Sequence, residues 1–218
     1  MLHTILFDLD GTLTDSKEGI FNCIRYALEK LGDPVPDEET LKKFIGPPLY
    51  QSYMDFCGFD REKADRAVDL FRERYAVRGK FENAPAPGME DLCRRLKEKG
   101  FTMALASSKP VSMCRPICER FGFAPWLDVI VGSPPGEDLG KAEIVRQALS
   151  ELNIREEDKA GVLMVGDRKF DVLGAAACGL SCVGVEFFGY AAPGELAEAG
   201  AAAVVRTAEE LEAYILSH

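Results

Sequence analysis

Short apolar runs rich in β-branched residues recur along the chain at Thr4–Phe7, Thr102–Ala106, Asp128–Val131, Val162–Val165 and Cys182–Val185, with a weaker one at Ala203–Val205. Amphipathic stretches of helical spacing separate most of them: Gly88–Lys99, Val111–Phe121, Lys141–Leu152, Asp171–Cys178 and Ala208–Leu216. Strands alternating with helices of this length predict βαβ units, and therefore an α/β fold with a parallel sheet covered by helices on both faces. The rhythm changes between residues 16 and 81. There the pattern predicts four helical segments, Ser16–Leu31, Asp37–Phe44, Pro48–Cys57 and Arg61–Val77, with no clear strand between them. The Pro-rich run Glu82–Met89 then returns the chain to alternation. The organisation expected is an α/β core over 1–15 and 82–218, with a helical insertion over 16–81 placed after the first strand.

Charge enters where the strands end. The first strand runs directly into Asp8-Leu9-Asp10-Gly11-Thr12, two carboxylates one residue apart followed by a glycine. Strand alternation points Asp8 and Asp10 to one side and Leu9 to the other. Like charges so placed repel each other, so a cation is expected beside them. Three further polar sites follow strands: Ser107-Ser108-Lys109, Lys141 opening a helix, and Asp167/Asp171 in VGDRKFD. In an open parallel sheet the carboxyl ends of neighbouring strands lie together, so these residues can converge on one crevice.

The residue types define the chemistry available there. Asp8, Asp10 and Asp167 form a hard oxygen set suited to Mg²⁺, which is held by few carboxylates together with water and substrate phosphate. Lys141, Ser107 and free backbone N–H groups at turns and helix starts offer positive and donor groups for a phosphoryl dianion. A carboxylate can also attack phosphorus and form an aspartyl phosphate. Each residue has a plainer reading. Asp8 and Asp10 could cap a turn, Ser107 could satisfy turn backbone, and Asp167 could be an N-cap for the helix after it. Lysine at a helix start opposes the helix dipole, so for Lys141 the plain reading fits poorly. Lys109 and Arg168 read equally as solvated charges or as site groups.

Composition narrows the classes. The 218 residues are 47% hydrophobic, enough for one sizeable core, and a formal charge of −10 argues against a nucleic-acid polymer or an anionic membrane as partner. No apolar run is long enough to span a bilayer and no secretory signal is read, so a cytoplasmic location is expected. The seven cysteines form no C-x-x-C pair and are expected to be free thiols. A zinc site at Cys114/Cys118 or Cys178/Cys182 is disfavoured, because the two histidines, His3 and His218, lie outside any motif. Acid–base work therefore falls to carboxylates, lysines or cysteines.

Together these residues resemble the haloacid dehalogenase-like superfamily, and its phosphoglycolate phosphatase-like hydrolases in particular. DLDGT is similar to that family's first motif, Ser107 after its strand to the second, Lys141 to the third and GDRKFD to the fourth, in the same order and with a helical cap after the first. The sequence departs from the pattern at Phe170, where relatives often carry His, at Ala176, where they often carry Lys, and after Lys141, where a proline is often found. The resemblance implies a Rossmann-like core, Asp8 as nucleophile and Asp10 as general acid/base, with Lys141 completing the catalytic set. It implies Mg²⁺ on Asp8, Asp10 through its backbone carbonyl, and Asp167, with Asp171 supporting the metal or Lys141. Gly11, Thr12, Ser107 and Ser108 are the candidates for holding the phosphoryl group.

The expected activity is hydrolysis of a small phosphorylated metabolite by a monomer or weak homodimer. Phosphoglycolate is the first substrate implied and a 5′-nucleotide the alternative. Lys43, for a substrate carboxylate, and Tyr50, for a base, flank the Gly46-Pro47-Pro48 loop and are the candidates for leaving-group choice. Phe44, Tyr53 and Phe56 read instead as packing between helices. A sugar-phosphate mutase, a dehalogenase and a non-catalytic phosphate-binding module are the competing classes.

Overall fold

Residues 1–134 and 139–218 are described by the computed structural model. The chain divides into two compact units, Met1–Thr14 with Pro85–His218, and Asp15–Ala84. The first strand, β1 (Thr4–Phe7), is followed by the two-residue β2 (Thr14–Asp15) and then by the helices of the second unit: α1 (Lys17–Leu31), α2 (Glu38–Lys42), α3 (Leu49–Cys57) and α4 (Arg61–Val77). A two-residue β3 (Ala84–Pro85) returns the chain to the first unit. There follow α5 (Met89–Glu98), β4 (Thr102–Pro110), α6 (Val111–Arg120), β5 (Val129–Ser133), α7 (Lys141–Glu151), β6 (Val162–Gly166), α8 (Lys169–Ala176), β7 (Ser181–Val185), α9 (Glu195–Glu198), β8 (Ala203–Val205) and α10 (Ala208–Ser217).

The sheet of the first unit is parallel, in the order β5-β4-β1-β6-β7-β8. Alternation divides its side chains between two apolar layers, as the strand pattern predicts. Ile5, Phe7, Leu9, Met103, Leu105, Leu163 and Val165 belong to one buried cluster, whereas Leu6, Ala104, Ala106 and Met164 belong to the other. Both faces are therefore covered, which explains why these strands read as nearly continuous apolar runs. The chain leaves β1 toward β4 and β5 and later returns to its other side with β6. That reversal of strand order makes the carboxyl end of β1 a topological switch point, the usual ligand position in open α/β sheets.

The second unit is all helical over its interior. Its helices bury Phe21, Ile24, Leu28, Leu41, Tyr53, Ala64 and Phe71. Aspartates start two of its helices: the Asp37 side chain accepts from the Thr40 N–H at α2, and that of Asp60 from Lys63 N–H at α4. Both satisfy amides that a helix start leaves without partners. Phe44 and Tyr53 are buried and meet edge-on at 5.2 Å between ring centroids, the packing role expected of them.

Boundary differences have local causes. β4 runs to Pro110, beyond the apolar stretch, because its polar end still pairs with β5. α8 starts at Lys169, two residues before the Asp171 start expected. Asp171 is its third residue, and its Oδ2 accepts the N–H of Arg168 at 3.0 Å while its own N–H returns to the Arg168 carbonyl. The N-cap is thus Arg168, not Asp167. The four-residue α9 lacks enough periodicity to be read in advance. No helix among the described residues is long and apolar enough to cross a membrane. None of the seven cysteines forms a disulfide among the described residues. Burial raises the thiols of Cys93 and Cys118 to about 12.

Candidate active site

β1 leads directly into Asp8, whose N–H bonds to the carbonyl of Val165 on β6 at 2.9 Å. Its carboxylate meets Lys141 from the start of α7, with Nζ 2.8 Å from Asp8 Oδ1. The same ammonium lies 2.7 Å from Asp171 Oδ1 and donates to the Ala106 carbonyl, at the end of the apolar part of β4, at 3.1 Å. Lys141 thus ties together residues from β1, β4 and α8. Only 7% of its side chain is exposed. Burial alone would favour losing its proton, but the Asp171 and Asp8 charges outweigh burial and raise its affinity above the ordinary lysine value.

Asp8, Asp167 and Asp171 each present an oxygen within 4.8 Å of the others. Asp167 is the least satisfied of them: both carboxylate oxygens are buried and neither has a hydrogen-bond partner. Burial, followed by the charges of Asp171 and Asp8, pushes its carboxyl well above the usual range. Burial likewise raises Asp171 to about 6, although Lys141 pulls in the opposite direction. Gly11 lies against this group with φ +83°, and a Cβ there would overlap the Asp167 carboxylate. Glycine here meets two requirements, a left-handed backbone and an open cradle beside an anion.

These features fit a small divalent cation. Buried carboxylate oxygens without partners are costly unless a cation or donor meets them. Among the described residues, the carboxylates of Asp8, Asp10, Asp167 and Asp171 face two ammonium groups, Lys109 and Lys141, which leaves two formal negative charges in excess. Arg168 pairs with Glu195 at 2.9 Å, and its charge offsets only part of the effect of burial on Asp167. All-oxygen donors of this kind suit Mg²⁺ better than a softer metal.

Asp10 stands apart from the three-carboxylate group. Its Oδ2 is 2.6 Å from the Nζ of Lys109, whose side chain is 10% exposed. Lys109 and Arg168, both open to a solvated reading in the sequence, are mostly buried and paired, Lys109 with Asp10 and Arg168 with Glu195. Ser107 is buried just after Ala106, and its Oγ accepts from the Lys109 N–H at 3.4 Å. Ser108 is exposed and contributes its carbonyl, which accepts from the Ser133 hydroxyl at 2.9 Å. Thr12 is fully buried, with no partner for Oγ1.

Lys43 and Tyr50 lie in the helical unit. Lys43 caps α2, with its ammonium 5.9 Å from the Phe56 ring centre. The guanidinium of Arg61 covers one face of Tyr50, 4.1 Å from the ring centre.

Comparison with known proteins bears on the same residues. The family model for haloacid dehalogenase-like hydrolases matches residues 5–185, which include the whole carboxylate and lysine set. The chain is a haloacid dehalogenase-like hydrolase. A relative named 5′-nucleotidase, from Pseudomonas aeruginosa, is 42% identical over 193 residues, spanning 88% of this chain and 86% of that one. A plasmid-encoded phosphoglycolate phosphatase of Cupriavidus necator is 32% identical over 216 residues, covering 97% of this chain and 92% of its own. Among solved structures, one described as a predicted phosphatase from Clostridium acetobutylicum superposes with a TM-score of 0.91 at 41% identity, covering 100% of both chains. The hydrolase membership and the α/β Rossmann-like core expected from the motifs are thereby established.

Proposed function

We propose that this hydrolase is a Mg²⁺-dependent phosphatase that releases phosphate from small-metabolite monoesters through an aspartyl phosphate on Asp8. The observation that carries the reading is the meeting of Asp8 with Lys141, Asp167 and Asp171 at the carboxyl end of the central strand. In this reading an Asp8 oxygen attacks phosphorus in line, and the bond to the ester oxygen breaks as Asp10 gives that oxygen a proton. Asp10 then takes a proton from water, which attacks the phosphorus, releases inorganic phosphate and restores the Asp8 carboxylate. Lys141 and Ser107 hold the equatorial oxygens. The N–H groups of Gly11 and Thr12, candidates for the same task, are instead taken up within the turn by the carbonyls of Thr14 at 2.7 Å and Leu9 at 3.2 Å. Asp8, Asp167 and the Asp10 carbonyl would hold Mg²⁺, with Asp171 fixing Lys141. The ion supplies charge neutralisation for the phosphoryl oxygens.

All these groups come from the α/β unit and recognise only phosphate. We assign the choice of leaving group to the helical unit acting as a cap, with Lys43 and Tyr50 as candidates. A nucleoside monophosphate competes with phosphoglycolate as substrate, and the 42% identity to a protein named 5′-nucleotidase favours it. Phosphate release from a panel containing phosphoglycolate, nucleoside 5′-monophosphates and hexose phosphates tests both. Release from none of them, with Mg²⁺ present, removes the reading. Conversion of a hexose phosphate to its isomer instead points to a mutase.

A further inference from the structure

The edge of β4 contains an irregularity that the mechanism so far has not used. Ser107 pairs with Gly132 of β5, and the next pair is Pro110 with Ser133, so Ser108 and Lys109 are extra residues against a single step of the neighbouring strand. Such bulges redirect a side chain at the end of a sheet. This one is held from several sides. The Ser133 hydroxyl donates to the Ser108 carbonyl at 2.9 Å, the Lys109 N–H donates to Ser107 Oγ at 3.4 Å, and the Cys114 thiol approaches the Lys109 carbonyl at 3.5 Å. Gly132 makes room for it, since a Cβ there would lie 2.5 Å from the Lys109 carbonyl oxygen.

The redirected side chain ends at Asp10. Its ammonium is 2.6 Å from Oδ2, and both side chains are mostly buried, at 10% and 21% exposure. We infer that Lys109 is a positioning residue that fixes the Asp10 carboxylate for proton transfer to the leaving group. The inference rests on the phosphatase reading and adds to it a second lysine whose partner is the acid/base, as Lys141 is the partner of the nucleophile. A proton donor works only from a defined place, and a carboxylate next to a chain turn has rotamers that point elsewhere. The bulge, the hydroxyl latch and the short ion pair remove that freedom.

Leaving-group chemistry gives the test. An alkoxide must receive a proton as it departs, whereas p-nitrophenolate leaves without one. The second-order constant kcat/KM covers only steps up to loss of the leaving group, so later cleavage of the aspartyl phosphate does not enter it. Lys109→Met should lower kcat/KM for an alkyl phosphate, phosphoglycolate or adenosine 5′-monophosphate, by about 100-fold and that for p-nitrophenyl phosphate by less than about five-fold. Lys109→Arg should restore most of the loss. Asp10→Asn should show the same split, and adding Lys109→Met to it should cost nothing further. Lys109→Gln, which keeps the stem and loses the charge, serves if the methionine variant does not fold. A crystal structure of the variant should show the Asp10 carboxylate turned from its present place.

Equal losses on alkyl and aryl substrates, or losses that add in the double variant, would overturn the inference while leaving the phosphatase reading intact. A wild-type protein inactive on both substrates would overturn the two together.

Discussion

The α/β unit and the helical unit both contain short ion pairs, and distance does not separate them. In the helical unit Lys17 meets Glu38 at 2.5 Å and Lys42 meets Glu39 at 2.6 Å, with the carboxylates 57% and 79% exposed. In the α/β unit Lys141 meets Asp171 at 2.7 Å, with the carboxylate 1% exposed. Water screens the first kind and leaves each with little effect on stability. In the second kind each charge depends on its partner, because neither can recover solvation if the other is removed. The same interaction is therefore decoration on an exposed helix surface and a structural condition in the buried site. Arg74–Glu82 falls between them, helical but partly buried, with two parallel bonds of 2.6 and 2.8 Å.

The largest effect expected is at the nucleophile. Asp8→Asn should reduce turnover by about 1,000-fold or more while the protein stays folded, because the covalent route is removed outright. Phosphate release and circular dichroism check this together, and near-normal turnover in a folded variant would reject Asp8 as nucleophile. Next, Lys141→Met should cost about 3–5 kcal/mol in denaturant unfolding, since it leaves buried Asp8 and Asp171 charges without their cation. Arg74→Met should cost less, about 1–2 kcal/mol. Lys42→Ala should leave stability unchanged within the error of the measurement. If all three lysine and arginine variants cost alike, burial is not what distinguishes these pairs.

Acid should act with opposite sign on the Arg74–Glu82 pair and on the buried site carboxylates. Arg74 holds the Glu82 carboxyl below its usual value, so that pair stabilises above the unfolded pKa and its contribution is lost as pH falls through the lower folded value. Asp167 and Asp171 are raised by burial, so the folded state binds protons more readily than the unfolded one; the Asp171 contribution is lost as pH rises from the ordinary carboxylate range through about 6, and that of Asp167 is lost as pH rises through its own raised value. Without metal the α/β unit should therefore gain stability between neutral and mildly acid pH. Mg²⁺ needs the ionised carboxylates, so it should raise Tm more at pH 8 than at pH 5. Calorimetry with and without Mg²⁺ reads both signs, and a Mg²⁺ shift larger at pH 5 would contradict the carboxylate site. The smallest effects expected are in specificity. Lys43→Ala should raise KM for phosphoglycolate, and Tyr50→Ala that for nucleoside monophosphates, by a few-fold each, with p-nitrophenyl phosphate hardly changed. Equal changes on every substrate would make these residues structural.

Much of the architecture is written locally. Alternating Ile5, Leu6 and Phe7 can be buried on both sides only in a covered strand, and the helical spacing of α5, α6, α7 and α10 needs nothing distant to be read. Glycine after Asp10 and the carboxylates at strand ends are likewise visible as residue types in order. What sequence order cannot express is which charges end as partners. Lys141 and Asp8 are separated by most of the chain, and their contact depends on β1 lying between β4 and β6. Lys109 shows the limit most clearly. By its neighbours alone it is a lysine in a polar turn, equally at home in water. Only the pairing of β4 with β5 creates the bulge, and only the bulge carries its ammonium to Asp10. Local composition determined the strands, the helices and the chemical groups available, because those depend on neighbours along the chain. Tertiary structure decided which charges lost water and to whom they turned, because burial is set by residues that the sequence keeps far apart.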